Sequence, residues 1–421
     1  MKGKRAIGIL IGLGLSLGLT GCYDRAELEE QAFMVTMGID RSPNKQVIAI
    51  GRIAVPSKLS GSSSGGGGGG GDFQSGTPIV SASGYTLNEA LNVMNAGVER
   101  TINLSHLAAV MVSENVAREG MLPYLNTLTR YREFRRTLFL FITKGAISNI
   151  FLHDKPVLET SATRVIEDFQ STTKRTGLAP SMQVHQFLTE METPNEDPVA
   201  PVLSVNERVA AQKKKTAGSA NGLSRREIGD TPGGVNRSGG NPVEDVGTAV
   251  FRGDKMVDLL TGEQTRSLQL LSGSIKRLVL SVPSPIRKGG YVALAIRYAK
   301  PMHVSLTLRP HPVLSIKQSF EAELLGDESN GNFVPPANRR KLASAMSAMI
   351  HSREMLLMQR VFARDRADPF RFFRYARAQF PTNQALLAYD WHKQLPTVKI
   401  RLSVETNVRR LGTQLAPPSI P

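Results

Sequence analysis

The chain contains a single cysteine, Cys22, so no disulfide can cross-link its 421 residues and any fold must rest on packing and hydrogen bonding. That cysteine closes the run Leu19-Thr20-Gly21-Cys22. Ahead of it stand Lys2, Lys4 and Arg5, then an uncharged apolar stretch over residues 6–19 that is too short to span a bilayer comfortably. A basic start, a short apolar segment and small residues before a cut are the marks of an export signal. A thiol at that place reads as the acceptor of a diacylglyceryl group. Cleavage before Cys22 is expected to discard residues 1–21 and leave a lipid-bearing N-terminus, each buried methylene contributing about 0.8 kcal/mol to membrane binding. The competing reading, an ordinary secretory signal with an incidental cysteine, does not account for a chain that places its one thiol at this spot.

The remaining residues suffice for two or three domains with hydrophobic cores. No other segment is long and apolar enough to cross a bilayer. The formal charge of +16 points to anionic partners. For an exported protein these are anionic lipid headgroups or cell-wall polymers, not nucleic acid, and a basic residue near a membrane is worth about 1 kcal/mol. A merely solvated, charged surface is the plain alternative.

Past Cys22, residues 33–40 and 46–56 are strand-like runs separated by the turn cluster Arg41-Ser42-Pro43-Asn44-Lys45, which predicts a hairpin. A serine-rich stretch and seven glycines, Gly65 to Gly71, follow; the segment 57–77 reads as a flexible loop, and extended structure resumes at 79–83. Thr86 is positioned to cap a helix, with Glu89 as capping-box partner and Leu87, Ala90, Leu91 and Met94 on its apolar face. Residues 107–112 and 137–143 read as buried strands, and 116–128, 146–152, 161–174 and 180–192 as helices. Lys213-Lys214-Lys215 and the Gly, Ser, Asn and Pro that follow make 209–246 a polar basic linker. Beyond it, 248–251 and 255–260 bracket the turn Arg252-Gly253-Asp254, and 262–271 reads as a helix. Residues 291–298, 304–308 and 313–323 alternate like an antiparallel sheet, 336–366 is helical, and 398–408 is a closing strand. The expectation is an α+β protein: mixed and antiparallel sheets with packed helices in two or more domains, lipid-anchored. Its parts are a signal at 1–21, an N-terminal α+β domain at 22–208, the linker at 209–246 and a C-terminal α+β domain at 247–421.

Residues suited to catalysis are not grouped. Gly61-Ser62-Ser63-Ser64-Gly65 matches the pattern of a hydrolase nucleophile elbow, but that motif works only on a strained strand-to-helix turn and this copy leads into polyglycine. The seven histidines, at 106, 153, 185, 303, 311, 351 and 392, include no pair at helical ligand spacing, so no metal site or cofactor is expected and the chain does not read as an enzyme. Arginine and aromatic residues interleave in Phe370-Arg371-Phe372-Phe373-Arg374-Tyr375-Ala376-Arg377. The rings are expected to face the core and the arginines water; contact with anionic lipid or nucleic acid is the alternative.

Gly21-Cys22-Tyr23-Asp24-Arg25-Ala26-Glu27-Leu28, followed by Met37-Gly38-Ile39-Asp40, resembles the start of mature Ger(x)C-type spore germination lipoproteins, the C subunits of germinant receptors. Further along, Ser105-His106-Leu107, Arg135-Arg136-Thr137, Thr248-Ala249-Val250-Phe251 with Leu260 and Glu263 to Leu268, and Asp368-Pro369-Phe370 followed by Trp391 agree in order with that family. Tyr23 stands where the family commonly has Trp, and the polyglycine tract and basic linker look like insertions of this chain. The resemblance implies a non-catalytic subunit carrying lipid on Cys22. It implies a place on the outer face of the spore inner membrane, beside polytopic A and B subunits, and a part in nutrient-triggered germination. An extracytoplasmic solute-binding lipoprotein is the rival reading. It would share the tether but show two similar lobes around a ligand pocket.

Overall fold

Met34, Val35, Met37 and Ile39 of β1 (Gln31–Arg41) are all buried, so both faces of this strand are covered and it lies inside a sheet. The computed structural model describes residues 30–54, 77–130, 134–135, 137–159, 161–211 and 230–412. The signal, Cys22, the glycine tract with the Gly61 to Gly65 motif, and 212–229 of the expected linker lie outside the described residues. β1 pairs antiparallel with β2 (Val47–Ala54), as the hairpin expectation has it, and β2 with β3 (Ile79–Gly84). Its other edge takes short β4 (Thr101–Asn103) and then β5 (Ala109–Ser113), both parallel. β6 (Phe139–Lys144) and β7 (Val199–Val205) continue in parallel, and the antiparallel hairpin of β8 (Val243–Arg252) and β9 (Lys255–Leu260) closes the far side. The result is a nine-stranded mixed sheet, a parallel centre between two antiparallel ends.

Helices cover both faces. α1 (Leu87–Met94), α2 (Glu114–Glu119), α3 (Leu122–Arg130) and α6 (Val184–Glu192) share the core containing Leu91, Val116, Leu125 and Phe187. α4 (Ile147–His153) and α5 (Ala162–Thr176) cover the opposite face through Ile147, Ile150, Phe151 and Ile166. Thr86 caps α1 by accepting from Glu89 N, while the Glu89 carboxylate reaches Tyr85 N instead of the Thr86 N–H a capping box would use.

Three expectations are corrected. The single helix expected over 116–128 is two, because Gly120 at φ 135° ends α2 and the β8–β9 turn starts α3: Met121 N donates to Asp254 O and Leu122 N to the Asp254 carboxylate. The helix expected from 180 begins only at Val184. Residues before it line β6, with Leu140 N donating to Met182 O and Val184 N to Leu138 O. The linker expected over 209–246 is partly regular structure, since α7 (Glu207–Ala210) runs into it and β8 begins at Val243, where Val243 and Val246 are buried. β7 itself gives no strand signal because Pro201 interrupts it; a register shift between Pro201 and Leu203 absorbs the missing N–H.

The second sheet has five strands. β10 (Leu278–Pro283) pairs with β11 (Tyr291–Tyr298), and β11 and β12 (His303–Thr307) lie end to end along one edge of the long β13 (Val313–Asp327). The closing strand β14 (Lys399–Arg410) takes the other edge in parallel. α8 (Gly262–Ser272), capped by Thr261, and α9 (Pro336–Arg360) pack beneath. Leu342, Met346, Ile350 and Leu357 form an apolar stripe on α9, but the same stripe includes Glu354, which is fully buried.

Candidate functional site: the joint beside the first sheet

Several residues of the resemblance motifs solve packing problems. A methyl group on Gly38 would stand 2.5 Å from Ile147 Cγ2, so the strand must be bare there for α4 to settle on it. His106 meets the Phe33 ring edge-on at 4.7 Å, Thr248 hydrogen-bonds Thr265 at 2.7 Å, and Glu263 pairs with Arg353.

The densest polar cluster lies where the segment between α9 and β14 meets the first sheet. Arg366 and Arg371, both left-handed at φ 50° and 60°, bracket a tight turn that contains Asp368. The Asp368 carboxylate is fully buried and accepts from Phe372 N at 3.1 Å, Phe373 N at 2.9 Å and Trp391 Nε1 at 3.0 Å. Asp197, just ahead of β7, accepts from Asp368 N at 2.7 Å and Gly253 N at 3.2 Å, and bonds His392 Nε2 at 2.8 Å. Two aspartates thus fasten a β8–β9 turn, a strand start, an aromatic turn and a short helix (Trp391–Gln394) to one another. Around them pack Phe362, Phe370, Phe372 and Phe373, with Phe373 5.7 Å from the Trp391 ring. The aromatic–arginine segment therefore has its three phenylalanine rings in the core, as expected, whereas the Tyr375 ring is exposed with the Arg374 guanidinium 5.2 Å from its centre. Its arginines are at least partly solvent-exposed, and Arg371 holds Glu190 of α6 at 2.8 Å.

Burial raises the Asp368 pKa to about 6 despite its three donors. Burial works against the His392 cation, yet the hydrogen bond and charge of Asp197, with Asp368 and Asp390 nearby, outweigh it and hold the ring above its ordinary value. Glu190 and Glu196 are also raised by burial, against Arg371. A second clamp joins α9 to β9: Asp258 takes Arg360 in a two-pronged contact at 2.9 and 2.7 Å and also Arg364. Burial disfavours the Asp258 ion, but those guanidinium groups overcome it and leave its pKa low.

Beside the joint an open groove of about 770 Å³ runs between α5, α6 and α8, with His185, Glu190, Gln269 and Arg371 in its wall. It is an open trough whose wall mixes polar and apolar side chains, not a closed cavity. Among the described residues no group of three or more His, Cys, Asp or Glu is placed to hold a metal ion, and no helix is long and apolar enough to cross a membrane. Cys22, the one site residue expected from sequence, lies outside the described residues. Nothing local in the sequence marks Asp197 and His392 as a pair; they become partners only across 195 residues.

These features define a class: an α+β body whose recognisable motif residues build joints and close packing. A profile described as "Spore germination protein N-terminal domain" matches residues 24–205, and one described as "Spore germination B3/ GerAC like, C-terminal" matches 246–412. The chain is 31% identical over 256 residues to the Bacillus subtilis (strain 168) protein YfkR, which is named for spore germination, covering 60% of this chain and 58% of that one. It is 25% identical over 203 residues to spore germination protein KC of the same organism (48% and 49% of the two chains) and 20% identical over 336 residues to spore germination protein GerQC of Bacillus cereus (80% and 83%). The matches thus span about half the length of two of these relatives and most of the third. The crystal structure of the GerBC protein has the same fold, with a TM-score of 0.53 at 12% identity over 88% of this chain and 96% of that one. The chain belongs to the GerAC family of spore germination proteins and is like its C subunits.

Proposed function

We propose that this protein is the lipid-anchored C subunit of a germinant receptor, held by an acylated Cys22 on the outer face of the spore inner membrane. There it is needed for nutrient-triggered germination and works by assembling with polytopic A and B subunits. The observation that carries the reading is family membership across both halves of the chain, with the motif residues spent on rigidity. A body fastened by Asp197 and Asp368 suits a part that passes force or position between neighbours. The solute-binding alternative calls for a pocket between two similar lobes, whereas the trough beside the joint is open and walled by α5, α6 and α8.

The test is to express Cys22→Ala at the native locus. The protein is expected to accumulate as a folded species that leaves the membrane fraction, with loss of the nutrient response. The wild-type chain is expected to co-purify with integral-membrane proteins encoded beside it. Normal germination at normal abundance in the variant would overturn the tether.

A further inference from the structure

Among the described residues, no helix or loop covers the outward face of the second sheet. Along β13 and β14, alternate residues are exposed or half-buried while their neighbours pack on α9, so the face presents rows of side chains to solvent. Its charges are sorted. At the β11 end arginines and carboxylates are interspersed: Arg297 and Arg409 both hold Glu321, Arg277 lies 4.0 Å from Glu323, and Arg410 stands opposite Glu323 in the register. The β12 end is different. Lys317, Lys399 and Arg401 project there, with Lys300 and Arg309 exposed in the flanking turns, and none of the five has a carboxylate partner among the described residues. Register sets Arg401 opposite Ser315 and Lys317 opposite Ser403, so Lys317 and Arg401 are diagonal neighbours on adjacent strands. Like charges so placed repel, and a counter-anion relieves them. Glu405 is the acid on this part of β14 and sits one row beyond.

We propose that this end of the second sheet is a docking face for an anionic phospholipid bilayer. The exposed sheet face offers its side chains to a surface, lysine and arginine supply the charge, and the intervening Ser305, Ser315 and Ser403 add hydroxyl donors suited to phosphate oxygens. Nucleic acid fits less well, because sheets that bind it stack several bases on aromatic rings and this end of the face carries no Phe, Tyr or Trp, only the His303 imidazole opposite Lys317. The inference rests on the membrane-tethered reading above. It adds which way the body faces: the tether sets proximity, and this surface sets orientation.

The two are separable in a chain that cannot be lipidated. Full-length protein carrying Cys22→Ala is titrated with vesicles of phosphatidylcholine alone or with a third of phosphatidylglycerol. Binding to the anionic vesicles is expected to exceed binding to the neutral ones and to fall as salt rises from 0.05 to about 0.3 M. At about fivefold per cation removed, adding Lys317→Ala, Lys399→Ala and Arg401→Ala lowers it roughly a hundredfold. A control that removes three exposed cations elsewhere, Lys155→Ala, Arg175→Ala and Lys288→Ala, lowers it less than tenfold. Equal losses in the two triple variants would reduce the effect to net charge and overturn the proposal. So would equal binding to both vesicle types, or tighter binding to a duplex oligonucleotide than to the anionic vesicles. Failure of Cys22→Ala to release the protein in cells sinks the tether and leaves this comparison intact.

Discussion

Asp368→Ala removes one small side chain and strands three donors. Phe372 N, Phe373 N and Trp391 Nε1 all lose their acceptor in a place where the carboxylate has no exposure. An orphaned buried donor costs about 1–3 kcal/mol, and a truncated side chain leaves room for a water that recovers part of the loss, so the net expectation is about 3–5 kcal/mol. The turn also relaxes, since Arg366 and Arg371 are held left-handed beside it. The chain supplies its own probe, because Trp391 is its only tryptophan and sits in the joint. Urea unfolding followed by its emission should show the midpoint falling with little change in slope, together with a red-shifted native spectrum as water reaches the indole. Asp368→Asn, which keeps one acceptor oxygen, is expected to lose about half as much. An unfolding free energy for Asp368→Ala within about 0.5 kcal/mol of wild type would refute the view that this carboxylate fastens the turn.

Three other outcomes are expected. The joint should be more stable at pH 5 than at pH 8. Asp368 has a folded pKa raised to about 6, so it binds protons more readily in the native state and its contribution falls as pH climbs from about 4 through 6. His392, also raised, contributes fully below its unfolded value near 6.5 and loses this above it. Trp391-monitored midpoints across that range check the slope, and His392→Gln should flatten its upper part. Gly38→Ala forces a methyl group 2.5 Å from Ile147 Cγ2 and is expected to cost about 1–3 kcal/mol; Ile147→Ala in the same chain should recover part of it, a coupling readable in a double-mutant cycle. Asp154→Ala leaves the buried Arg52 guanidinium without its carboxylate, which lies 2.5 Å from Nη1, and should lower stability by about 3–5 kcal/mol by thermal melting.

Most strands and helices were legible because their signals are local. The period-two pattern over 291–298, the Thr86 cap and the apolar stripe of α9 each follow from a few neighbouring residues. The errors fall where a distant group intervened. Gly120 ends a helix because Asp254 arrives from another hairpin to start the next, and Pro201 sits in a central strand because a register shift accommodates it. The inward facing of Phe370, Phe372 and Phe373 was readable from spacing, whereas Arg371 holding Glu190 was not.

By itself the sequence determined the absence of disulfides, the strongly basic balance, the order of most elements and the family to which the chain belongs. Tertiary structure decided which strands of the later half complete the first sheet, which aspartates become buried anchors, and where unpaired cations collect. Charge balance is a sum over residues and needs no coordinates. A hydrogen bond between Asp197 and His392, or repulsion between Lys317 and Arg401, exists only once the chain has brought them within a few ångströms.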